Sequence, residues 1–394
     1  MSNGSHRNQK SSRLESLARV MGVCVAAATL GGCASAQTAP KGETKQEAVN
    51  NQLPSDLGIN VNFEDWKKLG YRLDWVGYSD STSRRDLKLR HFMAFEDIVV
   101  AQGADSTVTV LENGTGKRRW STELSGPLTR FVGISRDPAD SSRLYVVSES
   151  ELFVLSAPTG NLADRQRFER VVNTAPIVAG ETLIFGTTTG EIYAHNTAVN
   201  SRAWGFISDA GFDGNPVVAS EVVGSVSQKG DLMFLTTGGK IVGRSRIYGG
   251  VATHPVSNGK MMFVASLDQS LWGFDPYSTT SWRYRTSQPL RVQPSAAGEF
   301  VYCEIPGEGL VCFDATTGDV VWKSKDARGT VFTQRGGKLL SWNDGEIFQI
   351  DPANGDVIER IKTPGIVSTF ATDFMDGTVY VTSDKGVIAK FSGN

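Results

Sequence analysis

The sequence predicts an all-β protein built from eight copies of one four-stranded antiparallel sheet. Short apolar strands recur after tight turns, and the starts of eight such strands lie 37 to 44 residues apart. The repeated unit is a strand, a glycine-containing turn, the apolar strand and a second turn, and several units add a tryptophan-bearing strand. The 42 glycines and 14 prolines supply enough turns to connect so many short strands.

The repeated apolar strands define the period. They are Val108–Leu111, Leu152–Leu155, Ile192–His195, Leu232–Leu235, Leu271–Phe274, Leu310–Phe313, Ile347–Ile350 and Val387–Lys390. A single four-stranded sheet leaves both faces uncovered, whereas eight sheets arranged radially cover one another. The pattern therefore predicts an eight-bladed β-propeller. We expect Trp120, Trp204, Trp282 and Trp322 to fill the gaps between neighbouring blades.

The two ends of the repeat region predict how the ring closes. The last unit stops at Phe391 after three strands and lacks a fourth. Before the first unit, the segment Leu69–Tyr78 contains Trp75 and resembles the tryptophan-bearing fourth strand of the other units. We therefore predict that this N-terminal strand completes the last blade and that the propeller spans residues 63–394.

The N-terminus has the pattern of a bacterial export signal. A basic segment is followed by the apolar run Val20–Leu30, which is too short for a stable membrane span but is typical of a signal peptide. The motif Leu30-Gly31-Gly32-Cys33 looks like a lipobox, which predicts a signal peptide over 1–32, lipidation of Cys33 and a flexible tether over 33–62. The alternative is an ordinary secretory signal cleaved near Ala34–Ala36. Ala34 after the cysteine favours the outer membrane, with the protein facing the periplasm.

Charge and motif content argue against several function classes. The formal net charge is −2, which does not favour nucleic-acid binding. No pair of the four histidines has the spacing of metal ligands, and His195 is interpreted as a structural residue on a strand. The glycine-rich stretch Gly238–Ser245 is interpreted as a hairpin turn and a strand. We expect no catalytic residues, no metal and no cofactor.

Cys303 and Cys312 flank a turn in one predicted hairpin. If Ile305 lies opposite Leu310, the two cysteines are also directly opposite, at a separation that suits a disulfide bond. Export to an oxidising compartment favours that bond. The alternative is two buried free thiols.

The loops that connect consecutive blades lie on one face of a propeller. Four of their residues are Arg130, Phe212, Tyr248 and Arg291. Arginine and aromatic side chains are enriched at the energetically important centres of protein interfaces. We therefore expect these residues to bind a protein partner, the alternative being that they are ordinary solvated loop residues.

The segment Gly309–Trp322 has glycine, four apolar residues, aspartate, Thr-Gly and tryptophan in the order of the PQQ-like propeller repeat, which it resembles. Together with the lipobox and the tether, the repeat region resembles the BamB family of outer-membrane assembly lipoproteins. That resemblance implies a monomeric, non-enzymatic scaffold that binds a protein of the cell envelope, in the β-barrel assembly complex. A lipoprotein that binds an envelope glycan or small ligand in the central depression is the alternative. A PQQ-dependent dehydrogenase is less favoured, because the chain has no adjacent cysteine pair.

Overall fold

The computed structural model describes residues 58–80, 89–126, 128–277 and 281–394. In these ranges the chain forms one short helix, α1 (Phe63–Lys68), and thirty-two strands, of which the first is β1 (Tyr71–Tyr78). The strands form eight four-stranded antiparallel sheets, so the predicted eight-bladed β-propeller is confirmed. No helix among the described residues is long and apolar enough to cross a membrane.

Blades 1 to 4 follow one another along the chain. Blade 1 comprises β2 (Leu89–Ala94), β3 (Ile98–Gly103), β4 (Thr107–Glu112) and β5 (Arg118–Glu123); blade 2 comprises β6 (Phe131–Arg136), β7 (Arg143–Ser148), β8 (Glu151–Ser156) and β9 (Leu162–Arg167). Blade 3 comprises β10 (Ile177–Ala179), β11 (Thr182–Gly186), β12 (Glu191–Asn196) and β13 (Ser201–Ile207); blade 4 comprises β14 (Val217–Ala219), β15 (Val222–Val226), β16 (Asp231–Leu235) and β17 (Ile241–Arg246).

Blades 5 to 8 complete the ring. Blade 5 comprises β18 (Val256–Ser257), β19 (Met262–Ser266), β20 (Ser270–Phe274) and β21 (Trp282–Arg285); blade 6 comprises β22 (Ser295–Ala297), β23 (Phe300–Ile305), β24 (Gly309–Asp314) and β25 (Val320–Ser324). Blade 7 comprises β26 (Thr330–Arg335), β27 (Lys338–Asn343), β28 (Glu346–Ile350) and β29 (Val357–Lys362); blade 8 begins with β30 (Ile366–Ala371), β31 (Val379–Ser383) and β32 (Val387–Gly393).

The core lies between the blades. Each buried apolar cluster combines side chains of two neighbouring sheets, as where Val110 of blade 1 packs in one cluster with Leu144 of blade 2. Successive residues of a strand point to opposite faces of its sheet, so they contribute to different inter-blade layers. Val301 thus belongs to the layer shared with blade 5, and Tyr302 to the layer shared with blade 7.

The N-terminal strand closes the ring, as predicted. Strand β1 pairs antiparallel with β32, which gives blade 8 the order β1-β32-β31-β30. The preceding helix α1 was not predicted. Its Trp66 is buried and stacks on Phe391 of β32, with ring centroids 3.7 Å apart. Ile59 and Val61 are fully buried in the same cluster, so the packed region begins before residue 63 and the predicted tether boundary at 62 is too late.

The tryptophans of the fourth strands bridge neighbouring blades. The indole nitrogen of each donates a hydrogen bond to a backbone carbonyl in the turn between the third and fourth strands of the next blade. The pairs are Trp75–Asn113, Trp120–Ala157, Trp204–Thr237, Trp282–Ala315 and Trp322–Pro352, at 2.7 to 3.1 Å. The last of these pairs joins blades 6 and 7, and the first joins blade 8 to blade 1.

The predicted disulfide is wrong, because the hairpin of blade 6 has a shorter turn than expected. Ile305 pairs with Gly309 rather than Leu310, which places Cys303 opposite Val311 and Tyr302 opposite Cys312. A slip of one residue moves a side chain to the other face of the sheet. Cys303 therefore packs toward blade 5 and Cys312 toward blade 7, and both are buried free thiols.

Candidate partner-binding face

One face of the propeller carries the connections between consecutive blades, including 168–176, 208–216, 247–255 and 286–294. We call it the inter-blade face. Each first strand starts there, and the turns between second and third strands return there because neighbouring strands are antiparallel. Arg130, Tyr248 and Arg291 are exposed on this face.

Phe212 does not belong to the exposed surface, which corrects one predicted contact residue. Its side chain is fully buried and packs with Ile184 and Met233 between blades 3 and 4. A Cβ atom on Gly186 would lie 2.4 Å from Cβ of Phe212, so the glycine makes room for the ring. A loop position in the sequence does not distinguish a ring that faces solvent from one that turns into the core.

Tyr248 has the opposite environment. Its side chain is 88% exposed, in the connection between blades 4 and 5. Leu128, which sequence reasoning left out of the candidate set, is 97% exposed in the connection between blades 1 and 2. Isolated exposed apolar side chains are common, but these two lie on the same face as Arg130 and Arg291.

A belt of hydrogen bonds links the inter-blade connections to one another. Asn173 donates to the carbonyl of Phe212 at 2.6 Å, and Arg130 donates to the side chain and the carbonyl of Asn173. Further along, Nδ1 of His254 accepts from the amide of Asn215 at 3.0 Å. These contacts step from blade to blade and hold the connections in fixed positions.

The belt continues from blade 5 to blade 7. The side chain of Gln293 both accepts from the amide of His254 and donates to its carbonyl, at 3.0 and 2.9 Å. Thr330 then donates to the carbonyl of Gln293 at 2.7 Å. The sequence contained a signal for the belt, since Asn215, His254 and Gln293 each lie two residues before a first strand.

A polar cleft opens beside this belt. It has a volume of about 420 Å³ and is lined by Asp213, Thr253, His254, Arg291 and Gln293, among others. Asp213 accepts hydrogen bonds from the amides of Asn173 and Gln228. No acidic side chain among the described residues forms an ion pair with the guanidinium of Arg291.

The ionisation state of His254 follows from its contacts. Burial lowers the pKa of His254 below its ordinary value. Because Nδ1 accepts a backbone N–H, the neutral ring carries its proton on Nε2. The cleft therefore combines a free cation, a neutral imidazole and a carboxylate that is already hydrogen-bonded, an arrangement suited to binding polar groups.

A second repeated feature supports the outer strands near this face. Glu151, Glu191 and Asp231 are the first residues of the third strands in blades 2, 3 and 4, and all three are buried. Each forms an ion pair with an arginine of the fourth strand, as Asp231 does with Arg244 at 2.7 Å. The hydrogen bond from Arg165 lowers the pKa of Glu151. These pairs hold the fourth strands and leave their acids unavailable to ligands.

Groups with potential chemistry elsewhere have structural partners. His195 is buried on β12, as predicted, with Nε2 2.8 Å from Oε1 of Gln166. Asp351 accepts from the amide of Ala353 within its own turn, and Lys338 donates to it at 2.9 Å. Over the described ranges, no three His, Cys, Asp or Glu side chains are grouped so that they could hold a metal ion.

Comparison with known proteins gives the chain a family. A family model described as outer membrane protein assembly factor BamB matches residues 104–210 and 188–331, together more than half of the chain. No curated protein sequence matches the chain.

Solved structures with the same fold are more distant in sequence. The crystal structure of BamB from Moraxella catarrhalis superposes with a TM-score of 0.63 at 17% identity, covering 82% of this chain and 97% of that one. The computationally designed Ika8 protein superposes with a TM-score of 0.62 at 12% identity, covering 79% of this chain and 98% of that one. At these identities the likeness shows the fold alone. The extent of the family match, with the eight-bladed fold, shows that the chain belongs to the family of the outer membrane protein assembly factor BamB.

Proposed function

We propose that this chain is a non-catalytic, lipid-anchored scaffold of the outer membrane that docks a protein of the β-barrel assembly machinery through its inter-blade face. The observation that carries the proposal is the combination of a rigid belt of loop hydrogen bonds with exposed Arg130, Tyr248 and Arg291. A pre-ordered surface loses little conformational entropy on binding. Family membership supplies the class of partner.

Charge reversal on the inter-blade face tests the docking. We expect the double variant Arg130→Glu and Arg291→Glu to lose the partner proteins that the wild type retains after crosslinking in native membranes and purification. The matched control is Lys117→Glu with Lys240→Glu, which changes the net charge equally on exposed turns of the opposite face. Retention of the same partners by the arginine double variant would remove this face from the proposal.

The membrane anchor is proposed from the lipobox alone, since Cys33 lies outside the described residues. Replacing Cys33 by Ser removes the thiol that would receive the diacylglycerol. We expect the variant to appear in the soluble periplasmic fraction, while the wild type sediments with outer membranes. A variant that still sediments with outer membranes through carbonate washing would contradict lipid anchoring.

A further inference from the structure

The face opposite the inter-blade face carries a cavity that the proposed docking does not use. This opposite face holds the connections between first and second strands, which span only two residues in blades 3, 4, 6 and 7. In blade 8 the same connection, 372–378, has seven residues and extends across the end of blade 7. A cavity of about 590 Å³ lies between this connection and blade 6.

The 372–378 connection is held in place by backbone contacts. The amide of Gln334 donates to the carbonyl of Phe374 at 2.6 Å, and the amide of Asp376 donates to the carbonyl of Gln334 at 2.7 Å. Met375 forms a parallel bridge with Gln334, and the hydroxyl of Tyr71 donates to the carbonyl of Gly377 at 3.0 Å. The wall that this connection gives to the cavity is therefore preformed.

The floor of the cavity is aromatic and apolar. The ring of Phe374 stacks on Tyr302 with centroids 6.1 Å apart and an interplanar angle of 11°. Met375 is 60% exposed and Phe300 is 38% exposed at the cavity. A flexible thioether beside aromatic rings adapts to the shape of an inserted apolar side chain.

The rim of the cavity is acidic. Glu299 and Asp373 line it, and neither carboxylate has a hydrogen bond or ion pair with any described residue. The neighbouring Asp376 does have an ion-pair partner, since Nη1 of Arg335 lies 3.6 Å from its Oδ1. No basic side chain is among the described residues that line the cavity. An apolar floor with an uncompensated negative rim is complementary to an apolar side chain flanked by cations.

We propose that this cavity is a second docking site, which binds an apolar side chain of a basic peptide segment on a partner protein. Phe300, Phe374 and Met375 contact the apolar side chain, and Glu299 and Asp373 pair with the flanking lysines or arginines. The site does not depend on the inter-blade face, and a protein bound to each face would be held on either side of one rigid disc.

The test measures peptide binding to the purified full chain by fluorescence anisotropy. The probe is a fluorescein-labelled decapeptide that alternates Lys with Leu and Phe. One control peptide has Glu in place of Lys, and another has Ser in place of Leu and Phe. We expect binding of the first peptide alone, weakening as salt is added because exposed charge pairs are screened.

Variants at exposed positions locate the binding. We expect Met375→Glu to weaken binding of the Lys peptide at least about tenfold, because the substitution blocks an apolar contact. We expect the double variant Glu299→Gln with Asp373→Asn to weaken binding about threefold, the size expected for the loss of exposed ion pairs. Met375→Leu keeps an apolar side chain and should retain binding. Val199→Glu, in the exposed turn between β12 and β13 of blade 3, is the matched control and should bind as the wild type does.

Three results would overturn the proposal. The first is equal affinity of wild type and Met375→Glu for the Lys peptide, or no binding to either. The second is equal binding of the Glu peptide. The third is a wild-type dimer in analytical ultracentrifugation that Met375→Glu dissociates, because a second copy of this chain would then be the occupant of the cavity.

Discussion

Among single residues, a tryptophan that packs on a glycine of the next blade forms a contact that recurs around the ring and joins neighbouring blades. The Trp322 indole donates to the carbonyl of Pro352 at 2.8 Å, and a Cβ atom on Gly355 would lie 2.5 Å from that indole. Gly355 also has a φ of +80°, which side chains disfavour. The glycine is therefore required both by its backbone and by the ring packed on it.

A matched pair of substitutions separates these two requirements. Gly337 has a φ of +76° but nothing within 4 Å of its virtual Cβ. We expect Gly337→Ala to cost roughly 1–2 kcal/mol from backbone strain alone, and Gly355→Ala to cost about 1–3 kcal/mol more through overlap with the indole. Urea unfolding measures both. Equal losses in the two variants would show that the tryptophan contact is not tight.

The buried His195 predicts a loss of stability in acid. Burial lowers the pKa of His195, while Glu169 acts in the opposite direction. The imidazole of His195 in the folded protein is therefore neutral at a pH where the same imidazole in the unfolded chain, with a pKa of about 6.5, binds a proton. Stability is lost as pH falls through that value, by at most about 1.4 kcal/mol per pH unit for one proton.

Replacing His195 by Gln removes this titration. We expect the free energy of unfolding of the variant to fall less steeply than that of the wild type between pH 7 and pH 5. Burial also lowers the pKa values of His91 and His254, but they titrate in both proteins and cancel in the comparison. Parallel pH profiles for wild type and variant would assign the acid loss to other groups.

The two cysteines of blade 6 are predicted to be unreactive in the folded protein. Burial raises the pKa of Cys303 and of Cys312 to about 12, so both thiols are protonated at neutral pH. We expect iodoacetamide to label neither in the native protein and both after denaturation without a reductant, as read by peptide mapping. A linked peptide pair that separates only on reduction would contradict the hairpin register.

At the scale of elements, the sequence was sufficient for the strands and insufficient for one turn. All eight predicted apolar strands lie within the third strands of the blades. A strand that is buried on both faces has a short continuous run of apolar residues, and this run recurs once in each blade. In the hairpin of blade 6, Gly307 and Gly309 both have positive φ, and the loop is one residue shorter than predicted. Glycine marks where a turn occurs without fixing its length, so the register could not be read.

The N-terminal segment was predicted in part for a related reason. Strand β1 carries a tryptophan, as four of the other seven fourth strands do, so the sequence indicated its place in blade 8. Helix α1 has only six residues, and the described residues contain no second helix that would mark it as part of a repeat. Its Trp66 fills the space between blades 7 and 8, where the fourth strand of blade 7 has no tryptophan. Because this packing of Trp66 occurs once and lies outside the repeated unit, the repeat pattern could not predict it.

At the scale of the whole molecule, the candidate site was predicted as a face more accurately than as a set of residues. Topology places all inter-blade connections together, so the sequence could assign Arg130, Tyr248 and Arg291 to one surface. It could not show that Phe212 turns inward or that Leu128 turns outward, since both depend on tertiary packing. The hydrogen-bond belt likewise depends on neighbouring blades being in contact.

Closure gives these surfaces their rigidity. Each blade is covered by its neighbours. The first strand of the propeller, β1, and its last strand, β32, pair with each other in blade 8 and so close the ring. Loss of β1 removes Trp75 from its contact with blade 1 and exposes the edge of β32. The effect should therefore reach both neighbours of blade 8 rather than remain at one end of the chain.

Removal of the closing segment is the most stringent test of a closed ring. Equilibrium urea unfolding would compare a chain that begins at residue 58 with one that begins at residue 79. We predict that the shorter chain loses more than about 3 kcal/mol, the cost of deleting one buried tryptophan side chain, and that a synthetic 58–80 peptide restores part of the loss. A chain beginning at residue 79 that unfolds at the same urea midpoint, with the same cooperativity, would contradict a closed ring.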